Sequence, residues 1–213
     1  MTSLSDEDMQ QPGRPNAISR AMGVFREHGG VLRTTDAVRF GIHPRTVYAM
    51  RDAGKLERLG RGLYRLADLP PLGNPDLVSV AIRVPDGVLC LLSALTVHGL
   101  TTEIPHEIHV ALKRGARSPR LDFPPIRVFW FTGAAFQQGV ETHKMDGVDV
   151  RVFGAAKTVA DCFKYRSKLG LDVAIEALKL YLREKRGRPD DLIHFARVCR
   201  VEKVMRPYIE ALL

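Results

Sequence analysis

The sequence predicts an α+β fold built as two domains, and three observations predict it. Residues 16–66 pass from helix-like three-to-four spacing into short alternating runs, punctuated by glycines. The stretch ADLPPLGNP then marks a boundary near residues 68–75. Beyond it come two apolar helical segments, four strand-like runs and a closing series of helices, so strands and helices are grouped rather than alternating.

The first element spans Asn16 to His28, where Ile18, Met22 and Phe25 recur at helical spacing. Gly29 and Gly30 end it. Val31 and Leu32 make a short extended run, and Thr34 or Thr35 is expected to cap a second helix of about Asp36 to Phe40. Ile42 leads into a third helix. His43 can cap it, Pro44 suits the first helical position because the missing N–H has no partner there, and Gly54 closes it. LERL, GRG and LYRL then read as a β-hairpin. Three helices followed by a two-stranded ribbon is the winged helix-turn-helix arrangement, whose third helix enters the DNA major groove.

Val47 and Met50 are expected to face inward on that helix, with Ile42 and Leu56 nearby. Arg45, Tyr48, Ala49 and Asp52 share the opposite face. Arg45 and Thr46 stand in the first turn, where side chains reach base edges and helix N–H groups meet a phosphate. Arg61 lies at the tip of the ribbon. The candidate DNA-contacting set is Arg33, Thr34, His43, Arg45, Thr46, Tyr48, Arg51, Arg61 and Arg65.

Charge supports this reading. The 213 residues carry a formal net charge of +8. Residues 31–67 alone hold +5, from Arg33, Arg39, Arg45, Arg51, Lys55, Arg58, Arg61 and Arg65 against Asp36, Asp52 and Glu57. A positive field confined to one short segment calls for a polyanionic partner. The first fifteen residues, MTSLSDEDMQQPGRP, are polar and acidic and read as a disordered tail rather than a secretion signal. No apolar run approaches the length of a membrane span, which is about 18 residues. Cys90, Cys162 and Cys199 are far apart and set in apolar pattern, as reduced core residues of a cytoplasmic protein would be.

In the second domain, residues 75–213, DLVSVAIRV and LCLLSALTVHG read as two helices broken by Pro85, Asp86 and Gly87. EIHVAL and IRVFWFT read as strands, and VETHKM–DG–VDVRVF as a hairpin turned at Asp146-Gly147. One long helix is expected from about Ala156 to Arg166, another after Gly170 through about Glu184, and two more near Pro189–Cys199 and Val201–Leu213. Enzyme signatures are missing. His106 and His109 are spaced by three at the start of a strand, unlike the i, i+4 pair of HExxH on a helix. His98 at a helix end reads as a hydrogen-bonded structural residue. No [DE]-x-K nuclease tripeptide occurs, no Gly-Ser precedes a two-metal Asp pair, and neither a G-x-S-x-G elbow nor a Walker-type loop is present. The expectation is a non-enzyme with no cofactor and no metal site.

Longer words in the chain carry a resemblance. SALTVHGLT, IPHEIHVAL, the VE…DGVDVRVF hairpin and KTVADCFKYRSKLGLDVAIEAL resemble the AbiEi family, the antitoxins of type IV abortive-infection toxin–antitoxin systems. GG…TTDAVRFGIHPRTVYAMRDAGKLERLGRGLYRL is similar to that family's winged-helix domain, so the likeness covers roughly residues 16–213. It implies a DNA-binding domain at residues 16–72 that binds inverted repeats in its own promoter as a repressor. It also implies a nucleotidyltransferase-like but non-catalytic domain at 75–213 that counteracts a nucleotidyltransferase-like toxin without requiring a stable complex. A monomer in solution that places more than one copy on double-stranded DNA is expected. Within the matching words, Thr158 is expected to cap its helix or Asp161 to pair with Lys157, and Lys157, Lys164, Arg166 and Lys168 are candidates to extend the basic face. Two other classes stay open: a stand-alone winged-helix regulator with a partner- or ligand-binding second domain, and, more remotely, a DNA-directed nuclease.

Overall fold

A computed structural model describes residues 17–183 and 188–213. The expected N-terminal tail lies outside the described residues. The chain divides into two units, Met1–Pro71 and Leu72–Leu213.

In the first unit, helix α1 (Ala17–Glu27) turns Ala21 and Phe25, four residues apart, into the core. Gly29 and Gly30 follow with φ of +77° and +79°, a region that side chains other than glycine rarely enter. Gly30 is doubly constrained, because a Cβ there would run into Leu69. Strand β1 (Val31–Arg33) passes directly into α2 (Thr34–Arg39). This corrects the expected threonine cap: Arg33 holds the cap position without a side-chain hydrogen bond, and Thr34 is already helical. With no turn between strand and helix, the first donors of α2 find their acceptor elsewhere. The Thr34 N–H donates to the Gly62 carbonyl at 2.9 Å, and its hydroxyl donates to the same oxygen at 3.4 Å.

Helix α3 (Pro44–Asp52) starts as its sequence dictates. His43 is extended, and its Nδ1 accepts the Arg45 N–H at 3.2 Å, while Pro44 occupies the first turn. Val47 and Met50 are wholly buried. Strands β2 (Leu56–Gly60) and β3 (Leu63–Leu66) form a hairpin with an irregularity between Arg58 and Gly60, and β1 joins it in the order β1-β3-β2. Phe25, Leu32, Ala37, Ile42, Val47, Met50, Leu56, Tyr64 and Leu66 make the core. Each large apolar member contributes about 1.5–3 kcal/mol by leaving water.

The second unit runs α4 (Pro75–Arg83), β4 (Val88–Leu89), α5 (Leu91–His98), β5 (Ile108–Lys113), β6 (Ile126–Phe131), α6 (Ala134–Gln137), β7 (Val140–Met145) and β8 (Val148–Phe153). Then follow α7 (Ala155–Lys164), α8 (Arg166–Leu169), α9 (Leu171–Arg183), α10 (Pro189–Val198) and α11 (Glu202–Glu210). The sheet is mixed, in the order β6-β5-β4-β8-β7, with β5/β6 and β4/β8 parallel and the other pairs antiparallel. Between the two expected helices, residues 88–89 form its central strand. Two residues are too few to show an alternation, and neighbours on both sides supply the pairing instead. The helix expected through Arg166 breaks at Tyr165, whose N–H caps α7 on the Asp161 carbonyl.

Alternate residues of the strands feed two apolar layers. Ala111, Phe129, Phe131 and Phe153 pack with α5, α7, α9, α10 and α11, while Val110, Leu112, Val150 and Val152 pack with α4. Among the described residues, no helix is long and apolar enough to cross a membrane.

Candidate nucleic-acid interface

The buried stripe Val47–Met50 fixes which side of α3 meets solvent. Arg45, Tyr48, Ala49, Arg51 and Asp52 are exposed on it, and Thr46 is half-buried. Tyr48 keeps 43% of its surface open, a large aromatic left outside the core. The Arg51 guanidinium lies 5.4 Å from the centre of the Tyr48 ring and donates through Nε to Asp52 Oδ1 at 2.9 Å. That bond, with the Asp52 charge behind it, raises the Arg51 pKa further. Arg51 is therefore pre-oriented but half-neutralised, and Arg45 in the first turn is the exposed cation of α3 without an ion pair to a described residue.

The same distinction separates the cations of the whole segment. Arg39 lies 3.6 Å from Asp36, Arg51 2.7 Å from Asp52, and Arg65 2.7 Å from Glu57. Arg33, Arg45, Lys55, Arg58 and Arg61 have no ion pair among the described residues. These five account for the local +5. Arg61 is exposed at the ribbon tip, and Arg33 and Thr34 are half-buried where β1 meets α2. His43 is exposed and occupied by its capping bond.

Arg65 does not belong with them. It stands in β3, the central strand, all of whose residues are buried, and is itself 3% exposed. Its two terminal nitrogens are spent on Glu57 and on the Pro70 carbonyl. A side chain so enclosed is structural, and it leaves the candidate set. Lys55 and Arg58 join it instead. The sequence signalled both as charge, but no helical face or ribbon tip singled them out.

In the second unit, Lys157 is likewise withdrawn from the basic surface, because it has no exposed area. It pairs with Asp161 one turn later, as one of the two expected alternatives had it, and its ammonium lies 4.0 Å from the Phe153 ring centre and 5.0 Å from that of Phe131. The Thr158 hydroxyl donates to the Phe153 carbonyl at 2.9 Å. Lys164 and Lys168 are exposed, and Arg166 is half-buried. The three cysteines are free and buried, and burial holds the Cys90 and Cys162 thiols well above their ordinary range. His109 is buried and neutral: burial pushes its pKa down to about 4. His106 is exposed. His98 donates through Nε2 to the Phe153 carbonyl, 2.8 Å away, in keeping with a hydrogen-bonded role.

Comparison with known proteins locates the chain. Residues 19–67 match the family described as transcriptional regulator, AbiEi antitoxin. That is the family its sequence resembles, and the match lies within the first unit. The fold of nearly the whole chain is similar to a crystal structure of the RV2827C protein from Mycobacterium tuberculosis. The TM-score is 0.53 and the identity 17%, over 94% of this chain and 82% of that one. No curated protein matches.

Proposed function

We propose that residues 16–72 are a winged helix-turn-helix domain that binds promoter inverted repeats, with α3 as recognition helix and the β2–β3 ribbon as wing. The chain then acts as antitoxin and autorepressor of a type IV toxin–antitoxin operon. In this reading residues 75–213 form a non-catalytic, nucleotidyltransferase-like domain that counteracts a nucleotidyltransferase-like toxin in the cytoplasm without a stable complex. The observation that carries the DNA half is the set of five cations, Arg33, Arg45, Lys55, Arg58 and Arg61, without an ion pair to a described residue in the segment that matches the AbiEi regulators. Each is available to displace a counterion from a phosphate.

The full chain is the material for the test, and its own promoter the DNA. With about five phosphate contacts, the slope of log K against log salt is expected near −4 to −5. A slope near zero would overturn the phosphate reading. The antitoxin half is tested separately, by growth rescue from the adjacent toxin when the chain is expressed from an unrelated promoter. Rescue that never occurs would leave a stand-alone regulator.

A further inference from the structure

Outside the DNA-facing segment, the second unit gathers two imidazoles and a carboxylate from distant parts of the chain. His98 ends α5, while Glu141 and His143, two residues apart on β7, share one face of an edge strand. One donor atom from each lies within 4.8 Å of those of the other two. His143 Nε2 and Glu141 Oε2 are 3.1 Å apart, and the two rings meet edge-on with centres 5.6 Å apart. We propose that His98, Glu141 and His143 form a binding site for a divalent metal ion of the zinc class.

Three features support a coordinating arrangement. The donor set is the first: two nitrogens and one carboxylate oxygen suit zinc and its borderline neighbours, whereas calcium and magnesium select all-oxygen shells. The second is the spacing. Donors about 2.0–2.2 Å from a tetrahedral ion lie roughly 3.3–3.5 Å from one another. The Glu141–His143 separation of 3.1 Å is already close to that, and the His98 donor lies within 4.8 Å of both. The third is the support behind the donors. The contact of His98 Nε2 with the Phe153 carbonyl commits that nitrogen as the N–H and makes Nδ1 the basic atom, the usual outer arrangement for a metal-bound histidine. The Glu141 carboxylate packs closely over Gly154, since a Cβ built there would lie 3.0 Å from Glu141 Cδ and closer still to Oε1.

Three protein donors leave a fourth tetrahedral position for water or for a donor on a partner. The ion would also tie the edge strand β7 to the end of α5. This inference stands apart from the DNA reading, because none of its residues lies in the first unit.

The test is calorimetric titration of the metal-stripped full chain with Zn2+, with Co2+ as optical probe. One equivalent is expected to bind, giving a Co2+ spectrum of low coordination number without a thiolate charge-transfer band. Zinc should also raise the melting temperature. His143→Ala and Glu141→Gln, both on the accessible edge strand, should each weaken binding at least about tenfold while the metal-free melting temperature stays near that of the wild type. Failure to bind one equivalent would overturn the proposal. So would affinity unchanged in both variants, or a thiolate band that moves the ion to the buried cysteines.

Discussion

Lys157 and Asp161, one turn apart on α7, form an ion pair with no exposed surface, closed over by the rings of Phe131 and Phe153. The second carboxylate oxygen accepts the Cys199 thiol at 3.2 Å, so α10 is attached to the same charge. Burial pushes the Asp161 carboxyl up, and Lys157 acts against that shift. The arrangement is complete only with all three partners.

Asp161→Ala is therefore expected to be among the most destabilising substitutions in the chain. It leaves a buried ammonium against two aromatic rings, at a cost of about 3–5 kcal/mol. Replacing both partners by apolar residues, Lys157→Met with Asp161→Leu, should recover most of that loss. Urea unfolding of the single and double variants decides the matter, and a double variant no better than the single one would contradict the account.

Three arginines of the first unit should behave in three ways. Arg45→Ala is expected to lose operator preference, by about 1–3 kcal/mol if it donates two bonds to a guanine. Arg61→Ala should weaken binding to all sequences alike and reduce the salt slope by about one. Neither should move the melting temperature. Arg65→Ala should do so, because Glu57 and the Pro70 carbonyl lose a buried partner. Binding by native gel or anisotropy, beside thermal melts, separates the three. Loss of DNA affinity in Arg65→Ala at undiminished stability would restore that residue to the interface.

His109 gives the second unit a defined acid sensitivity. Its ring is buried against Phe129, centre to centre 5.0 Å, and its Nδ1 has no hydrogen-bond partner among the described residues. Burial lowers the pKa to about 4 from 6.5, with Glu107 opposing and Arg127 adding to the effect. Between those values the unfolded chain takes up a proton that the folded chain refuses, so stability falls as pH falls. The contribution is intact above about 6.5 and declines toward about 4, with a slope up to about 1.4 kcal/mol per pH unit. His109→Leu should remove that slope. Parallel curves for wild type and variant from pH 7 to 4.5 would show that His109 titrates normally.

Most of the first unit was legible in the sequence because its signals are local. His43, Pro44 and Gly54 specify a helix start and stop within a dozen residues, and Val47 and Met50 specify its inner face. The hairpin followed from short alternating runs around glycines. The exposure of the candidate contact residues was legible to the same extent: the outward positions of Arg45, Tyr48 and Arg61 follow from helical phase or from the turn. What only the tertiary structure decided were the positions whose surroundings come from afar. Arg65 reads as one more surface cation until β1 and β2 flank it on both sides. Lys157 reads the same until Phe131 and Phe153 enclose it. Strand β4 exists because β5 and β8 supply partners for two residues that show no pattern of their own. The His98–Glu141–His143 group joins a helix end to an edge strand across 42 intervening positions, with no motif to announce it. Periodicity and capping are short-range hydrogen bonding and shape, and a sequence displays them directly. Burial of a charge and convergence of donors depend on which distant segments pack together, and only the folded chain determines that.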